Sequence, residues 1–197
     1  RRWIATDTID PADAALWRER AAAPAPAFIQ YTSGSTSQPK GVVVSHRAVL
    51  ANAEMIAACA GLDRDSVMLT WLPLYHDMGL VGHVLVPIVV GCRSVLMGAM
   101  DFLGRPFRWL DSVGRNRATL TGGPNFAYEL CNRRISDEEL AALDLSSLRV
   151  AFNGAEPIRS TTLTRFVVPL WRSHTKISTA SFASPGTRWL ARLWKAT

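Results

Sequence analysis

The chain has 197 residues, of which 48% are hydrophobic and 19% are charged, and its formal net charge is +6. This length and composition indicate a globular protein with a sizeable core and exclude a disordered chain. The longest apolar stretch, residues 79–92, is shorter than the roughly 20 residues of a membrane-spanning helix, so we expect a buried helix there and no transmembrane segment. Three scattered cysteines form neither a disulfide framework nor a metal-binding pattern, which favours a reducing, cytoplasmic setting.

The positive charge is concentrated at the end of the chain. Residues 167–197 contain five of the 22 basic residues and no Asp or Glu, which leaves 17 basic and 16 acidic residues in the part before them. A nucleic-acid-binding domain would show basic side chains along one face with aromatic residues between them. We therefore expect no nucleic-acid partner for residues 1–166.

From residue 28 onward the hydrophobic pattern predicts alternating strands and helices, after a linker over residues 1–27 that ends in an Ala/Pro stretch. The predicted strands are 28–32, 41–45, 66–73, 93–97, 118–123 and 148–154, and the predicted helices are 46–60, 77–90, 106–116, 125–135, 136–143 and a last one from residue 159. This alternation indicates an α/β fold with a mainly parallel sheet flanked by helices. Because ligands collect at the carboxyl ends of parallel strands, the glycine-containing loops 33–41, 122–124 and 154–157 are the expected sites.

The first of these loops lies in "YTSGSTSQPKG", residues 31–41. Its hydroxyl groups and glycine amides suit phosphate oxygens, and Lys40 adds a positive charge. The segment lacks the Gly-Lys-Ser/Thr order of a Walker loop and the Gly-x-Ser-x-Gly order of a hydrolase elbow. A solvated surface loop is the plain alternative, but the position between two predicted strands favours phosphate binding.

Three later segments carry further polar or glycine-rich patterns: "WLPLYHDMGLVG" at 71–82, "TGGPNFAYELC" at 121–131 and "NGAEP" at 153–157. Each has a structural alternative. His76 and Asp77 are also typical of a helix start, Gly122 and Gly123 of a tight turn, and five residues such as "NGAEP" are weak evidence alone.

In this order and spacing, the four segments strongly resemble the adenylate-forming (AMP-binding) superfamily, which includes acyl-CoA synthetases, luciferases and adenylation domains. The amino-acid sequences of the second and third segments are most similar to those of fatty acyl-AMP ligases. Ser37 stands where the superfamily usually has glycine. The resemblance implies part of the large N-terminal domain of the adenylate-forming fold.

The resemblance also implies site residues. It assigns ATP binding to Thr32, Ser33, Gly34, Ser35, Thr36, Lys40 and Gly41, and adenine binding to Asn153, Gly154, Ala155, Glu156 and Pro157. It assigns substrate contact to His76, Asp77, Gly122, Gly123 and Pro124. His76 and Lys40 would act in catalysis, His76 as a contact to the α-phosphate or carboxyl end and not as a general base, and Thr32 would help to ligate Mg²⁺.

The implied activity is the ATP-dependent conversion of a fatty acid to acyl-AMP and pyrophosphate, followed by transfer of the acyl group to an acyl carrier protein or polyketide synthase. A fatty carboxylate is already ionised near pH 7, so positioning and charge stabilisation are the main requirements. The alternatives are a non-catalytic remnant that binds nucleotide or acyl-adenylate, and a fragment of an acyl-CoA synthetase-type ligase.

The resemblance ends at about residue 166, so we expect an internal fragment with a partial AMP-binding domain at 28–166 and no C-terminal lid or lid lysine. Such a chain would be weak or inactive by itself. For the atypical basic tail at 167–197 two hypotheses stay open. One is an aberrant, for example frameshifted, end, and the other is a basic-aromatic segment that binds a membrane surface or nucleic acid.

Overall fold

A computed structural model describes residues 10, 12, 26–31, 40–173 and 178–181 of the chain. The chain divides into two compact units, residues 1–46 and residues 47–197.

The first unit contains an antiparallel hairpin. Strand β1 (Pro26–Tyr31) pairs with strand β2 (Gly41–Ser45), with Tyr31 opposite Gly41. The expectation that loop 33–41 follows a strand of the parallel sheet is therefore wrong. A connection this short suits antiparallel neighbours, because parallel neighbours need a crossover of a dozen or more residues.

The second unit is built on a parallel sheet. Its strands are β3 (Val67–Thr70), β4 (Arg93–Leu96), β5 (Leu120–Gly123), β6 (Val150–Asn153) and β7 (Ser178–Ser181), in the order β4-β3-β5-β6-β7 with every recorded pair parallel. This confirms the predicted mainly parallel sheet. β7 lies in the tail region, where the sequence predicted no strand.

Helices connect these strands. They are α1 (His46–Ala60), α2 (Asp77–Leu80), a π-helical segment (Val81–Leu85), α3 (Val86–Val90), α4 (Ala99–Gly104), α5 (Phe107–Arg115), α6 (Asn125–Arg134), α7 (Asp137–Ala141) and α8 (Ser160–Ser173). The helix predicted at 77–90 is thus one helical run with a π-helical middle, and α4 was not predicted. The predicted domain boundary at residue 167 falls within α8.

The run from α2 to α3 is buried on one side only. Val86 and Pro87 are buried, whereas Ile88 is 72% exposed. The expected buried helix is therefore buried on one face and exposed on the other. Over the described residues, no helix is both long and apolar enough to cross a membrane.

Different helices cover the two faces of the sheet. Thr121 and Gly122 are neighbours in β5 and so point to opposite faces. The indole N–H of Trp109 in α5 donates to Thr121 Oγ1 at 2.8 Å. On the other face Phe152 packs over Gly122, and its ring centroid lies 5.8 Å from that of His83 in the π-helical segment. The sheet is therefore sandwiched between α5 and the α2–α3 run.

Candidate functional site

The carboxyl ends of β5 and β6 lie side by side. Gly123 is in register with Asn153, and the amide of Gly154 donates to the carbonyl of Gly123 at 3.4 Å. The structure thus brings two of the predicted segments together, the substrate-contact residues 122–124 and the adenine-binding loop 153–157.

The two glycines of β5 make room for aromatic side chains. A Cβ at Gly122 would lie 2.4 Å from the ring and from the carbonyl oxygen of Phe152, and a Cβ at Gly123 would lie 2.9 Å from Trp71 Cζ2. We predicted from the sequence that these glycines contact the substrate. In the structure the close approach is made by side chains of the chain itself, and the substrate contact of Gly122, Gly123 and Pro124 stays a prediction.

A buried asparagine holds the second segment in place. Asn125 Oδ1 accepts from Asn153 Nδ2 at 3.3 Å and from the amide of Arg159 at 3.0 Å, and its Nδ2 donates to Thr162 Oγ1 at 3.5 Å. Asn125 is 6% exposed. One side chain at the start of α6 therefore fixes the end of β6, the residues after it and the first turn of α8.

Glu156 also ties the loop to α6. Its Oε1 accepts from the amide of Phe126 at 2.5 Å, which pairs one of the free N–H groups of the first helical turn. Ala155 has a φ of 69°, a left-handed conformation that is uncommon for a residue with a side chain. Glu156 thus has a structural role in the loop, and its contact with nucleotide stays a prediction.

Asn153 and Trp71 are buried at this edge with unused polar atoms. In the described part of the chain neither Asn153 Oδ1 nor Trp71 Nε1 has a hydrogen-bond partner. Trp71 follows β3 directly, and its ring lies 6.0 Å from that of Phe126. Sequence reasoning did not assign a role to Trp71 or Asn125, although both lie within segments that it singled out.

His76 and Asp77 lie between the end of β3 and the start of α2. His76 Nδ1 is 2.6 Å from Asp77 Oδ1, and the amide of Met78 lies 2.7 Å from Asp77 Oδ1 and 3.3 Å from His76 Nδ1. The amide of Met78 therefore donates to Asp77 Oδ1 and, over the longer distance, to His76 Nδ1, and the close Nδ1–Oδ1 contact holds the imidazole ring against the carboxylate. Both side chains are exposed, so Nε2 is the ring atom that a ligand would meet.

The predicted phosphate-binding residues are only partly described. Thr32, Ser33, Gly34, Ser35 and Thr36 lie outside the described residues. Lys40 and Gly41 belong to the first unit, where a Cβ at Gly41 would lie 2.9 Å from Ile29 Cγ2. The predicted Mg²⁺ ligand Thr32 is therefore untested, and the described residues contain no group of three or more His, Cys, Asp or Glu that could hold a metal ion.

A cavity of about 410 Å³ lies among α6, α7 and α8. It is lined by residues such as Cys131, Ile135, Leu140 and Phe166, away from the start of α6, where the predicted segments meet. Burial raises the pKa of the Cys131 thiol to about 12, so this cysteine is not a nucleophile at neutral pH. The cavity adds no chemistry to the strand ends.

The AMP-binding enzyme family matches residues 4–175 of the chain. The chain therefore belongs to the family of AMP-binding enzymes. This agrees with the resemblance drawn from the four motifs.

Several relatives within this family are named as fatty-acid ligases. The chain is 45% identical over 157 residues to a medium-chain-fatty-acid–acyl-carrier-protein ligase of Teredinibacter turnerae, covering 80% of this chain and 23% of the relative. It is 41% identical over 167 residues to a long-chain-fatty-acid–AMP ligase of Mycobacterium marinum, covering 80% of this chain and 29% of that protein. The chain thus spans about a quarter of the length of these relatives.

Solved structures give the same result for the fold. The fatty acyl-adenylate ligase of L. pneumophila, crystallised with acyl adenylate and pyrophosphate, superposes with a TM-score of 0.75 at 40% identity over 86% of this chain and 30% of that one. An adenylation domain of a keto acid-selecting peptide-synthetase module, bound to keto acyl adenylate, gives a TM-score of 0.73 at 36% identity over 83% and 30% of the two chains. The fold is that of the N-terminal domain of adenylate-forming enzymes, as expected.

Proposed function

We propose that this chain takes part in the ATP-dependent activation of a fatty acid to acyl-AMP. The observation that carries the proposal is the pairing of Gly123 with Asn153, which joins the predicted adenine loop to the predicted substrate segment at one edge of the sheet. The names of the relatives support fatty acids as the substrate class.

In the proposed reaction a carboxylate oxygen of the fatty acid attacks the α-phosphorus of ATP. The new bond joins that oxygen to the α-phosphorus, and the bond from the α-phosphorus to the bridging oxygen of the β-phosphate breaks, releasing pyrophosphate. No proton has to be removed, because the carboxylate is ionised near pH 7. The protein contributes mainly by holding the reactants in line.

The predicted site residues have proposed parts in this step. Asn153 Oδ1 is an acceptor at the base of the loop, which suits the amino group of adenine. His76 presents Nε2 to the α-phosphate or carboxyl end, with Asp77 orienting the ring. Lys40 and the hydroxyl-rich residues 32–36 would neutralise phosphate charge, and Mg²⁺, held by Thr32, would add to that neutralisation when bound.

A carrier-protein thiol is the proposed acceptor of the acyl group. The thiol sulfur attacks the acyl carbon of the adenylate and loses its proton to solvent, the bond from the acyl carbon to the phosphate oxygen breaks, and a thioester and AMP are formed. The support is the name of the Teredinibacter turnerae relative, an acyl-carrier-protein ligase. A polyketide synthase that carries such a thiol would accept the acyl group by the same reaction.

Fatty-acid-dependent exchange between pyrophosphate and ATP tests the proposal on the full 197-residue chain. We expect weak exchange that requires a medium- or long-chain acid and that falls at least roughly tenfold in His76→Ala. Tyr75→Ala is the matched control, because Tyr75 is an exposed neighbour with no assigned role. Exchange that is absent with every fatty acid would contradict the enzymatic role.

Binding of a non-hydrolysable acyl-adenylate analogue distinguishes the enzymatic role from a non-catalytic binding role. Tight binding of the analogue without exchange would indicate a non-catalytic acyl-adenylate-binding role. Lack of both exchange and binding would contradict both roles.

A further inference from the structure

Strand β4 lies at one end of the parallel sheet, and its outer side is open. The strand order places β3 on one side of β4 and, among the described residues, no strand on the other. The amides of Arg93 and Met97 donate to backbone carbonyls on the β3 side at 3.3 and 2.8 Å. Because the backbone groups of alternate residues in a strand point to opposite sides, the N–H and C=O groups of Ser94 and Leu96 point to the open side. Such an edge can pair with a further strand.

An apolar groove runs beside this open edge. A cavity of about 240 Å³ lies between β4 and α3, and its wall includes Val84, Pro87, Ile88 and Leu96. The Ser94 hydroxyl donates to a backbone carbonyl of the π-helical segment at 2.6 Å, which holds β4 against the helical run. Ile88 and Leu96 are both exposed, so the groove is open to solvent. A strand laid along β4 would therefore place alternate side chains over an apolar groove.

The amino end of β4 is basic. Arg64 lies over the turn before β4, with its Nε 3.9 Å from the position of a Cβ at Gly91. Arg93 is exposed, and its guanidinium donates to the neutral side chain of Asn116 at 2.8 Å. Neither arginine forms an ion pair with a described residue, whereas Asp63 is bonded to a serine and lies 3.8 Å from another arginine. The two guanidinium groups are therefore placed to attract an acidic group.

An extended acidic peptide fits this edge better than other occupants do. A lipid surface cannot pair the open N–H and C=O groups of β4. The end of this chain, residues 167–197, contains basic residues and no Asp or Glu, so Arg64 and Arg93 would repel it. A second copy of β4, whose sequence is RSVL, has no acidic residue to pair with these arginines.

We propose that the open edge of β4, together with the groove beside α3, is a docking site for an extended acidic and aliphatic segment of a partner protein. The segment adds to the sheet as a strand, and its backbone pairs with Ser94 and Leu96. One aliphatic side chain fills the groove beside Ile88. An acidic residue about three positions away pairs with Arg64 or Arg93, because three residues span about 10 Å of a strand. The docking site is independent of the proposed adenylation, which uses the ends of β5 and β6.

Fluorescence anisotropy of the full chain with a labelled peptide tests the docking site. The probe has a run of glutamates followed by alternating valine and threonine, and its reversed sequence covers the other strand direction. We expect one direction to bind, and replacement of its glutamates by lysines to weaken binding by about tenfold or more. Ile88→Asp and Arg93→Glu should each weaken binding to a similar extent. Met100→Asp is the matched control, because Met100 is equally exposed but does not line the groove.

Backbone pairing is tested with the same peptide methylated on alternate backbone nitrogens. Methylation of one alternate set should weaken binding by about tenfold or more, and methylation of the other set should be tolerated, because only one set faces β4. In the ¹⁵N-labelled wild type, the amide resonances of Ser94 and Leu96 should shift when the peptide binds.

Four results would each overturn the docking site. They are no binding of either peptide direction, equal binding of the two methylated forms, unmoved amides in β4, and full binding by Ile88→Asp. Binding of phosphatidylglycerol vesicles or self-association that is lost in Ile88→Asp and is not displaced by the peptide would also overturn it, because the edge would then have another occupant.

Discussion

At the scale of single residues, the least usual feature is the uncharged, buried ring of His83. Its pKa is about 4 in the folded protein, against an ordinary value of 6.5, and burial is the cause. As the pH falls below 6.5, the unfolded chain takes up a proton that the folded chain does not. The contribution of the neutral His83 ring to the free energy of unfolding is therefore fully present above pH 6.5 and is lost progressively as the pH falls toward 4.

We predict that His83 lowers the free energy of unfolding by about 2 kcal/mol between pH 7 and pH 5. Urea unfolding of the wild type and of His83→Leu at the two pH values measures this. The variant should lack this part of the pH dependence, because leucine does not titrate. Equal pH dependence in the two proteins would contradict burial of the ring in its neutral form.

Gly122 gives a second residue-scale prediction, because the space for its side chain is filled by Phe152. We expect Gly122→Ala to destabilise the protein by about 1–3 kcal/mol, since the backbone oxygen of Phe152 cannot move aside easily. Gly82→Ala is the control, because nothing lies within 4 Å of the added atom and the change favours helix. Thermal unfolding compares the two, and equal effects would refute the packing role of Gly122.

At the scale of elements, the start of α6 organises the edge of the sheet. Asn125 joins α6 to β6 and α8, and Glu156 pairs an amide of the first turn of α6. The predicted adenine loop is therefore positioned by α6 as well as by the strand that precedes it. The segments "GGPN" and "NGAEP", which begin 31 residues apart, are thus parts of one arrangement.

We predict that Asn125→Ala lowers the free energy of unfolding by about 1–3 kcal/mol, because it leaves Asn153 Nδ2 and the amide of Arg159 unpaired. It should also weaken binding of the acyl-adenylate analogue through the displaced loop. Asn116→Ala is the control, since Asn116 bonds Arg93 and Ser112 at a partly exposed helix end. Urea unfolding measures the loss of stability, and titration with the analogue measures the loss of affinity. If Asn125→Ala bound the analogue as tightly as the control, the positioning role would be contradicted.

At the scale of the whole molecule, the two compact units differ in how they are stabilised. The β1–β2 hairpin exposes Ile29, Tyr31, Val42 and Val43, and two-stranded hairpins are marginally stable in water. The parallel sheet of the second unit instead has a buried core on β3, β5 and β6. Local stability should differ accordingly.

Hydrogen–deuterium exchange measures this difference. We predict that amides of the hairpin exchange roughly a hundredfold faster, or more, than those of β5 and β6. Amides of α1 provide an internal reference for an exposed but helical segment. Hairpin amides that are protected as strongly as those of β6 would show that the first unit is stabilised by more than the hydrogen bonds between β1 and β2.

The sequence by itself determined the features that depend on neighbouring residues. Runs of β-branched residues and helix formers predicted the mainly parallel sheet, and the helix predicted from residue 136 is α7, whose N-cap Ser136 forms a capping box with Glu139. The four motifs predicted the family, and each of them contains described residues at strand ends or helix starts. The short helix α4 was missed because its N-cap, Gly98, has no capping side chain.

Only the tertiary structure decided which residues meet across the sheet. It placed β1 and β2 in an antiparallel hairpin, filled the space beside Gly122 and Gly123 with aromatic rings, and buried His83 and Asn125. These contacts join residues tens of positions apart and depend on strand register and side-chain packing. Local propensity carries no information about either, because the same glycine or histidine suits a turn, a core or a ligand site until its neighbours in space are fixed.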